Sequence, residues 1–315
     1  MEVVEVNHIE YAEIFATSYH VYNSAAFNYL NSYKCDSVYY LFFKDSKIRL
    51  GIILGQRGST LTSPFSAPFG GFVATSDDIK LSQIDDAIKA LLLWANEKSI
   101  EGIRIVNPPD FYNVNFLSKI HNGLYRAGFT NDNVELNYQF LSEKLNENYQ
   151  SSIWYNARKN LKRSLQFDLN FEKLLNENGK QAYDVIALNR QERGFPLRLT
   201  WEQVCETIAV ITSDFFLVKK EGKSIAAAIV FHVAKGVVQV IYWGDLPEYA
   251  EYKTMNFLSF NLFKYYKEQG ISIVDIGPST ENSIPNYGLC EFKEGIGCDI
   301  SLKTEFHKSL SECLS

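Results

Sequence analysis

The chain repeats itself once, at a spacing of about 170 residues, and this limits what it can fold into more than any other feature. Residues 39–43 and 48–54 alternate apolar and polar side chains around Lys44-Asp45-Ser46-Lys47. That is the pattern of a hairpin whose successive residues face opposite sides of a sheet. The design returns without gaps at 215–219 and 224–232, around Lys220-Glu221-Gly222-Lys223, placing Leu41 on Leu217, Lys44 on Lys220, Asp45 on Glu221, Lys47 on Lys223 and Ile53 on Ile229. A third strand follows each hairpin, at 60–73, where Pro64 and Pro68 break it, and at 236–243. An amphipathic helix comes next, at 84–97 and 254–267, with Leu258, Leu262, Phe263 and Tyr266 at helical spacing. The short strands after the helices, 102–107 and 270–275, agree at four of six positions. Each half closes with a short helical segment, 117–128 and 287–295, and a last strand, 135–141 and 300–306.

A period this long means duplicated domains rather than a solenoid. The polar stretch 143–150 is the natural linker, which places the domains at 1–145 and 146–315. The element order predicts an α/β (α+β) chain of two modules, each a mixed, mostly antiparallel sheet flanked by helices.

Composition removes several classes. The net charge of −6 leaves no whole-body positive field for a nucleic acid, so any polyanion must bind at a local patch. Five cysteines (Cys35, Cys205, Cys290, Cys298, Cys313) are odd in number and form no CxxC pair, as expected of free thiols in a reducing cytoplasm. No apolar run reaches the length of a membrane span and the first residues carry no secretion signal, so the expected location is cytoplasmic. The histidines show no metal-binding spacing, and GxSxG, GxGxxG and GxxxxGK[ST] are all missing; no catalytic metal is expected.

A hairpin, third strand, helix, short strand, helix and final strand resemble the GNAT N-acyltransferase fold, and two such modules in one chain resemble the Fem-type aminoacyltransferases and their FemAB-like relatives. The most specific segments are Tyr242-Trp243-Gly244-Asp245, Val274-Asp275-Ile276-Gly277 and Phe292-Lys293-Glu294-Gly295, in the family's order. The resemblance implies a donor thioester or ester held where the third and fourth strands part, and an acceptor amine on a sugar, peptide or lipid precursor. It also implies an acyl-CoA co-substrate rather than a tightly bound cofactor, with Trp243, Gly244, Lys253, Thr254 and Asn256 as the donor-side residues. Two departures qualify this. The stretch 244–256 lacks the Gly-rich pyrophosphate loop of acetyl-CoA enzymes and carries Asp245, Glu248 and Glu251. No long heptad segment supplies the helical hairpin of the tRNA-using Fem enzymes, which counts against tRNA as donor.

The residues of interest each have a plainer reading. Asp275 ends an apolar row, where partial burial would raise its pKa toward a proton acceptor's range; equally, it caps the turn that follows. The gapless match gives the first half Asn107 at that place, which favours chemistry in the second half. Lys293 is a candidate oxyanion stabiliser, with Arg126 as its approximate counterpart; on composition alone it is a surface charge. Arg158, Lys159, Lys162 and Arg163 share one face of a helix expected at 151–165, with Ile153, Trp154, Leu161 and Leu165 on the buried side. Arg158 and Lys162 are candidate contacts to a phosphorylated substrate, or simply a solvated face. Phe65, Phe69, Gly70 and Phe72 either line an acceptor groove or belong to a proline-broken edge strand whose aromatics pack against the partner domain; Tyr242 sits at the analogous place in the second half, and Tyr287 opens the last helix. The competing functional reading is a double module that binds an acylated or peptide ligand between its halves without transferring anything.

Overall fold

The computed structural model describes residues 1–16, 18–195 and 197–310; Cys313 lies outside them. They form two compact units, Met1–Glu135 joined by the chain from Ser301 onward, and Leu136–Ile300.

In the first unit, strands Glu2–Val6, Ser37–Lys44, Ile48–Arg57, Thr60–Ser63 and Gly102–Val106 pair in that order, antiparallel except for the parallel last pair. Alternation along Ser37–Lys44 sends Leu41 and Phe43 to a core with helices Leu81–Glu97 and Val114–Arg126, and Tyr40 and Phe42 to a second core with Tyr11 and Phe15.

The second unit repeats the plan. Its strands Leu169–Leu174, Ser213–Lys220, Lys223–Ala234, Val237–Asp245 and Ile273–Pro278 pair in that order, again with only the last pair parallel. Helices Tyr155–Ser164 and Thr254–Glu268 share a core with one sheet face, and helix Lys180–Glu192 packs on Lys223–Ala234 and Val237–Asp245. Cover on both faces explains why 225–231 is an unbroken apolar run rather than an alternating one.

The units do not divide at 145/146. Residues 139–141 of strand Thr130–Leu141 pair with Ile273–Asp275 in the second unit, whereas residues 305–309 of strand Asp299–Ser309 pair with Gly102–Val106 in the first. Each half's closing strand thus completes the other unit's sheet. A repeat read along the chain orders the strands but does not say which edge the last one takes.

Buried Asp214 anchors the far end of the second sheet. It accepts from Tyr266 Oη at 2.9 Å and lies 2.7 Å from His232 Nε2 and 2.6 Å from Lys173 Nζ. Burial by itself would raise its pKa, but these three groups hold it down at about 2. Because that value lies below the unfolded one of 3.8, the associated stability is present above pH 3.8 and is lost as pH falls toward 2. Asp214→Asn is expected to cost about 2 kcal/mol at neutral pH and to flatten stability between pH 4 and 2. Urea midpoints across that range check this; parallel acid limbs in the two proteins would rule it out.

Candidate functional site

Strands Val237–Asp245 and Ile273–Pro278 pair only at Val237–Ile273, Val238–Val274 and Gln239–Asp275. Just beyond, Val240 pairs with Val230 and Tyr242 with Ile229, which leaves Ile241 as an extra residue, a β-bulge. A bulge bends its strand and increases its twist. The two strands part there, leaving Gln239 and Asp275 at the fork.

The fork is built from buried polar groups. Asp275 is fully buried; Oδ1 accepts from Asn137 Nδ2 at 2.8 Å and the Gly277 amide at 2.9 Å, and Oδ2 accepts from Gln239 Nε2 at 2.7 Å. Lys293, on helix Tyr287–Gly295, is also buried and donates to the carbonyls of Ile276, Gly277 and Pro278 at 2.9, 2.8 and 3.0 Å. Its three protons are matched to three carbonyls. Burial pushes the ammonium down to about 8, while Cys298, Asp275 and Cys290 pull the other way. Tyr138 lies beneath it, ring centroid 5.2 Å from Nζ, and donates its hydroxyl to Glu294.

Helix ends fix the true equivalents of these residues in the first unit. After helix Leu81–Glu97, Ser99 is left-handed and the Ile100 amide returns to the Ala95 carbonyl; after Thr254–Glu268, Gly270 is left-handed and Ile271 returns to Tyr266. Ser99 therefore matches Gly270, and Arg104 matches Asp275. Strand pairing agrees, since Thr62–Arg104 and Gln239–Asp275 are each the third parallel pair. Asn107 is not the counterpart: the gapless comparison set two similar Ile-rich strings three residues out of step. By the same test, Phe129 returns to Leu124 past left-handed Gly128, and Cys298 returns to Lys293 past left-handed Gly297. Lys293 therefore occupies the place of Leu124, a core residue, while Arg126 is an exposed partner of Asp85.

The first unit closes its own fork. Beyond the last pair, Ser63–Ile105, the chain loops back so that the Gly70 amide donates to the Val106 carbonyl at 2.8 Å and the Gly71 amide to Ser63 Oγ at 3.0 Å. A side chain at Gly70 would meet the Pro64 nitrogen at 2.9 Å. Phe65, Phe69 and Phe72 are all buried, Phe69 against His20, Tyr22 and Tyr112. The aromatics of 63–72 pack within the first unit, and Thr60–Ser63 is paired on both sides rather than at a sheet edge.

Behind the second fork stand three arginines that no motif had pointed to. Arg190 lies over the Tyr242 ring at 5.8 Å, and its Nε is buried with no hydrogen-bond partner among the described residues. Burial lowers its pKa, and the neighbouring Arg193 and Arg198 charges add to this. Arg193 pairs with Asp245 at 3.2 Å and Arg198 with exposed Glu281 at 3.3 Å. Three arginines within residues 190–198 of an acidic chain were the available signal.

No protein-family model and no curated protein matches the chain. Among solved structures it is similar to FemX, with a TM-score of 0.72 and 13% identity over 100% of this chain and 98% of that one. It is also similar to a tandem GNAT protein from the clavulanic acid biosynthesis pathway (TM-score 0.55, 9% identity, 98% of both chains). The chain has the FemX-like tandem GNAT fold. L-PGS from Bacillus licheniformis is a further match, with a TM-score of 0.60 and 14% identity over 95% of this chain and 90% of that one.

Within the second GNAT module the other expected residues take several places. Trp243 packs edge-on against Phe292, with centroids 6.1 Å apart, on the sheet face opposite Tyr242. Gly244 is small because Asn189 lies against it; a Cβ would meet Asn189 Oδ1 at 2.5 Å. Lys253 is left-handed (φ 55°) at the start of helix Thr254–Glu268, Thr254 is buried with Oγ1 on the Tyr249 carbonyl, and Asn256 is buried. Glu248 and Glu251 are exposed, and Tyr287 is largely exposed at its helix start. Arg158 and Lys162 lie on Tyr155–Ser164. The helix expected at 151–165 is broken at Ile153–Trp154 and ends at Ser164; Trp154 and Leu165, just outside its two ends, are exposed rather than buried. Among the described residues no group of three or more His, Cys, Asp and Glu is placed to hold a metal, and no helix is long and apolar enough to cross a membrane.

Proposed function

We propose that the second module transfers an acyl or aminoacyl group from an activated donor to an amine on a sugar, peptide or lipid precursor. The observation that carries this reading is the fork past Gln239–Asp275: among the described residues no backbone hydrogen bond closes it as the Gly70 amide closes the first module's. The donor carbonyl lies in the fork, with Trp243, Gly244 and the start of helix Thr254–Glu268 along its donor side; amides beside the Ile241 bulge stabilise the oxyanion as the amine attacks, the C–S bond to the donor breaks as the tetrahedral intermediate collapses, and the departing thiolate takes up the proton the amine loses. Lys293 and Asp275 act as positioning residues. Lys293 already donates to three carbonyls, so its part is to fix strand residues 276–278; Asp275 orients Gln239, Asn137 and the Gly277 amide. The donor class proposed is an acyl-CoA, held without a Gly-rich loop.

The acceptor in this reading carries an anionic group, a carboxylate or phosphate, that pairs with the Arg190 guanidinium over Tyr242. Arg190→Ala is expected to raise the acceptor KM about 10-fold or more with little change in kcat, consistent with lost ground-state binding. An unchanged KM removes Arg190 from acceptor recognition. Isothermal titration with acetyl-CoA, longer acyl-CoAs and free CoA tests the donor; no binding to any of the three eliminates the CoA form.

A second reading, binding without transfer, draws on the full hydrogen-bond complement of Asp275 and Lys293. It predicts ligand binding with no product, even when donor and an amine acceptor are both present.

A further inference from the structure

Between Glu147 and Asp168 the sequence holds four cations and no acid, in a chain whose net charge is −6. All four (Arg158, Lys159, Lys162, Arg163) lie on helix Tyr155–Ser164, ten residues and about 15 Å long. None makes an ion pair or side-chain hydrogen bond among the described residues, although the helix packed beside them, Tyr287–Gly295, carries Glu291 and Glu294. Glu294 accepts from Tyr138. Arg158 lies over the Tyr155 ring at 5.8 Å and Arg163 over Phe167 at 5.9 Å, so the guanidinium groups rest on aromatic faces rather than on carboxylates. The cations are flanked at both ends by exposed apolar side chains: Trp154 is 51% exposed, Tyr155 68% and Leu165 45%. The helix's own apolar side, Ala157 and Leu161, is buried in the second module's core.

We infer that this helix docks the protein on an anionic lipid surface. A phosphate-rich headgroup layer complements four unpaired cations, and the apolar boundary just beneath it receives an indole, a phenol ring and a leucine. A nucleic-acid backbone would satisfy the cations but gives Leu165 nothing to bury against. The surface is independent of the proposed transfer chemistry, since it uses none of the residues at the fork.

The test is flotation of the full chain with vesicles of phosphatidylcholine alone or containing about 30 mol% phosphatidylglycerol, at about 0.1 M and about 0.5 M salt. Binding is expected only to the anionic vesicles and to fall steeply at the higher salt. Lys159→Gln, Lys162→Gln and Arg163→Gln combined should weaken partitioning about 100-fold, about five-fold per cation. Trp154→Ser should weaken it several-fold more than salt screening explains, and circular dichroism melts check that the variants fold. Failure to bind anionic vesicles, equal binding by the triple variant, or tighter binding to a structured RNA than to vesicles at equal phosphate would each overturn the assignment.

Discussion

Asp275→Ala is expected to lower the stability of the chain by about 3–5 kcal/mol, the range for removing one member of a buried, charge-assisted network. The carboxylate accepts from Asn137, Gln239 and the Gly277 N–H with no solvent reaching it, so its loss removes all three of these bonds together. It also removes the negative charge that helps hold the proton on Lys293. Asp275→Asn should recover much of the loss. Its oxygen can serve Asn137 and Gly277, and Gln239 can rotate its amide to accept from the new NH2 group. Urea denaturation of both variants decides the matter; an alanine variant within about 1 kcal/mol of the parent would show that water replaces the carboxylate. Because Asp275 is a positioning residue in the proposed reaction, both variants should also transfer more slowly, the asparagine one less so.

The architecture was legible because local patterns and tertiary needs coincide. Hairpin residues 37–44 and 213–220 form strands of equal length at the offset the gapless match gave, since alternation and turn chemistry are set within a few residues. Asp275 and Lys293 could be picked out as residues, but not their counterparts. Gly102 and Gly270 look alike in sequence, yet one lies inside a strand and the other is a left-handed helix end. Only the hydrogen-bond return to the helix tells them apart. Aligned by that rule, the second module differs from the first by a buried carboxylate in place of an ion-paired, half-exposed arginine, and by a buried ammonium in place of a core leucine. Neither exchange is favourable in a core without hydrogen-bond partners. The partners Asn137 and Gln239 were invisible because they come from other strands. The burial of Phe69 was hidden for a related reason: glycines that permit ligand approach equally permit a chain to fold back on itself.

Lys293 supplies the clearest pH signature in the molecule. Its pKa of about 8 in the folded chain lies below the unfolded value of 10.5. Under about pH 8 both states carry the proton, and the folded state bears the full cost of a buried charge. Between about pH 8 and 10.5 the folded state releases its proton first, so stability rises with pH, by about 3 kcal/mol in all. Above 10.5 the contribution is constant. Lys293→Met should lack this rise, while tyrosines and cysteines remote from Lys293 are common to both proteins and cancel in the difference; Cys290 and Cys298, which interact with Lys293, are replaced by serine in both proteins for this comparison. At pH 7 the methionine variant should still fold but lie about 3 kcal/mol below the parent, because three carbonyls lose their buried donor and Asp275 loses a neighbouring positive charge. If the proposed function holds, it should nevertheless transfer about 100-fold more slowly or worse, since residues 276–278 lose what fixes them at the fork. Unfolding curves for the two proteins that run parallel from pH 7 to 10.5 would refute the titration, and full transfer by a stable methionine variant would refute the positioning role. The two outcomes are separable because the first needs no substrate.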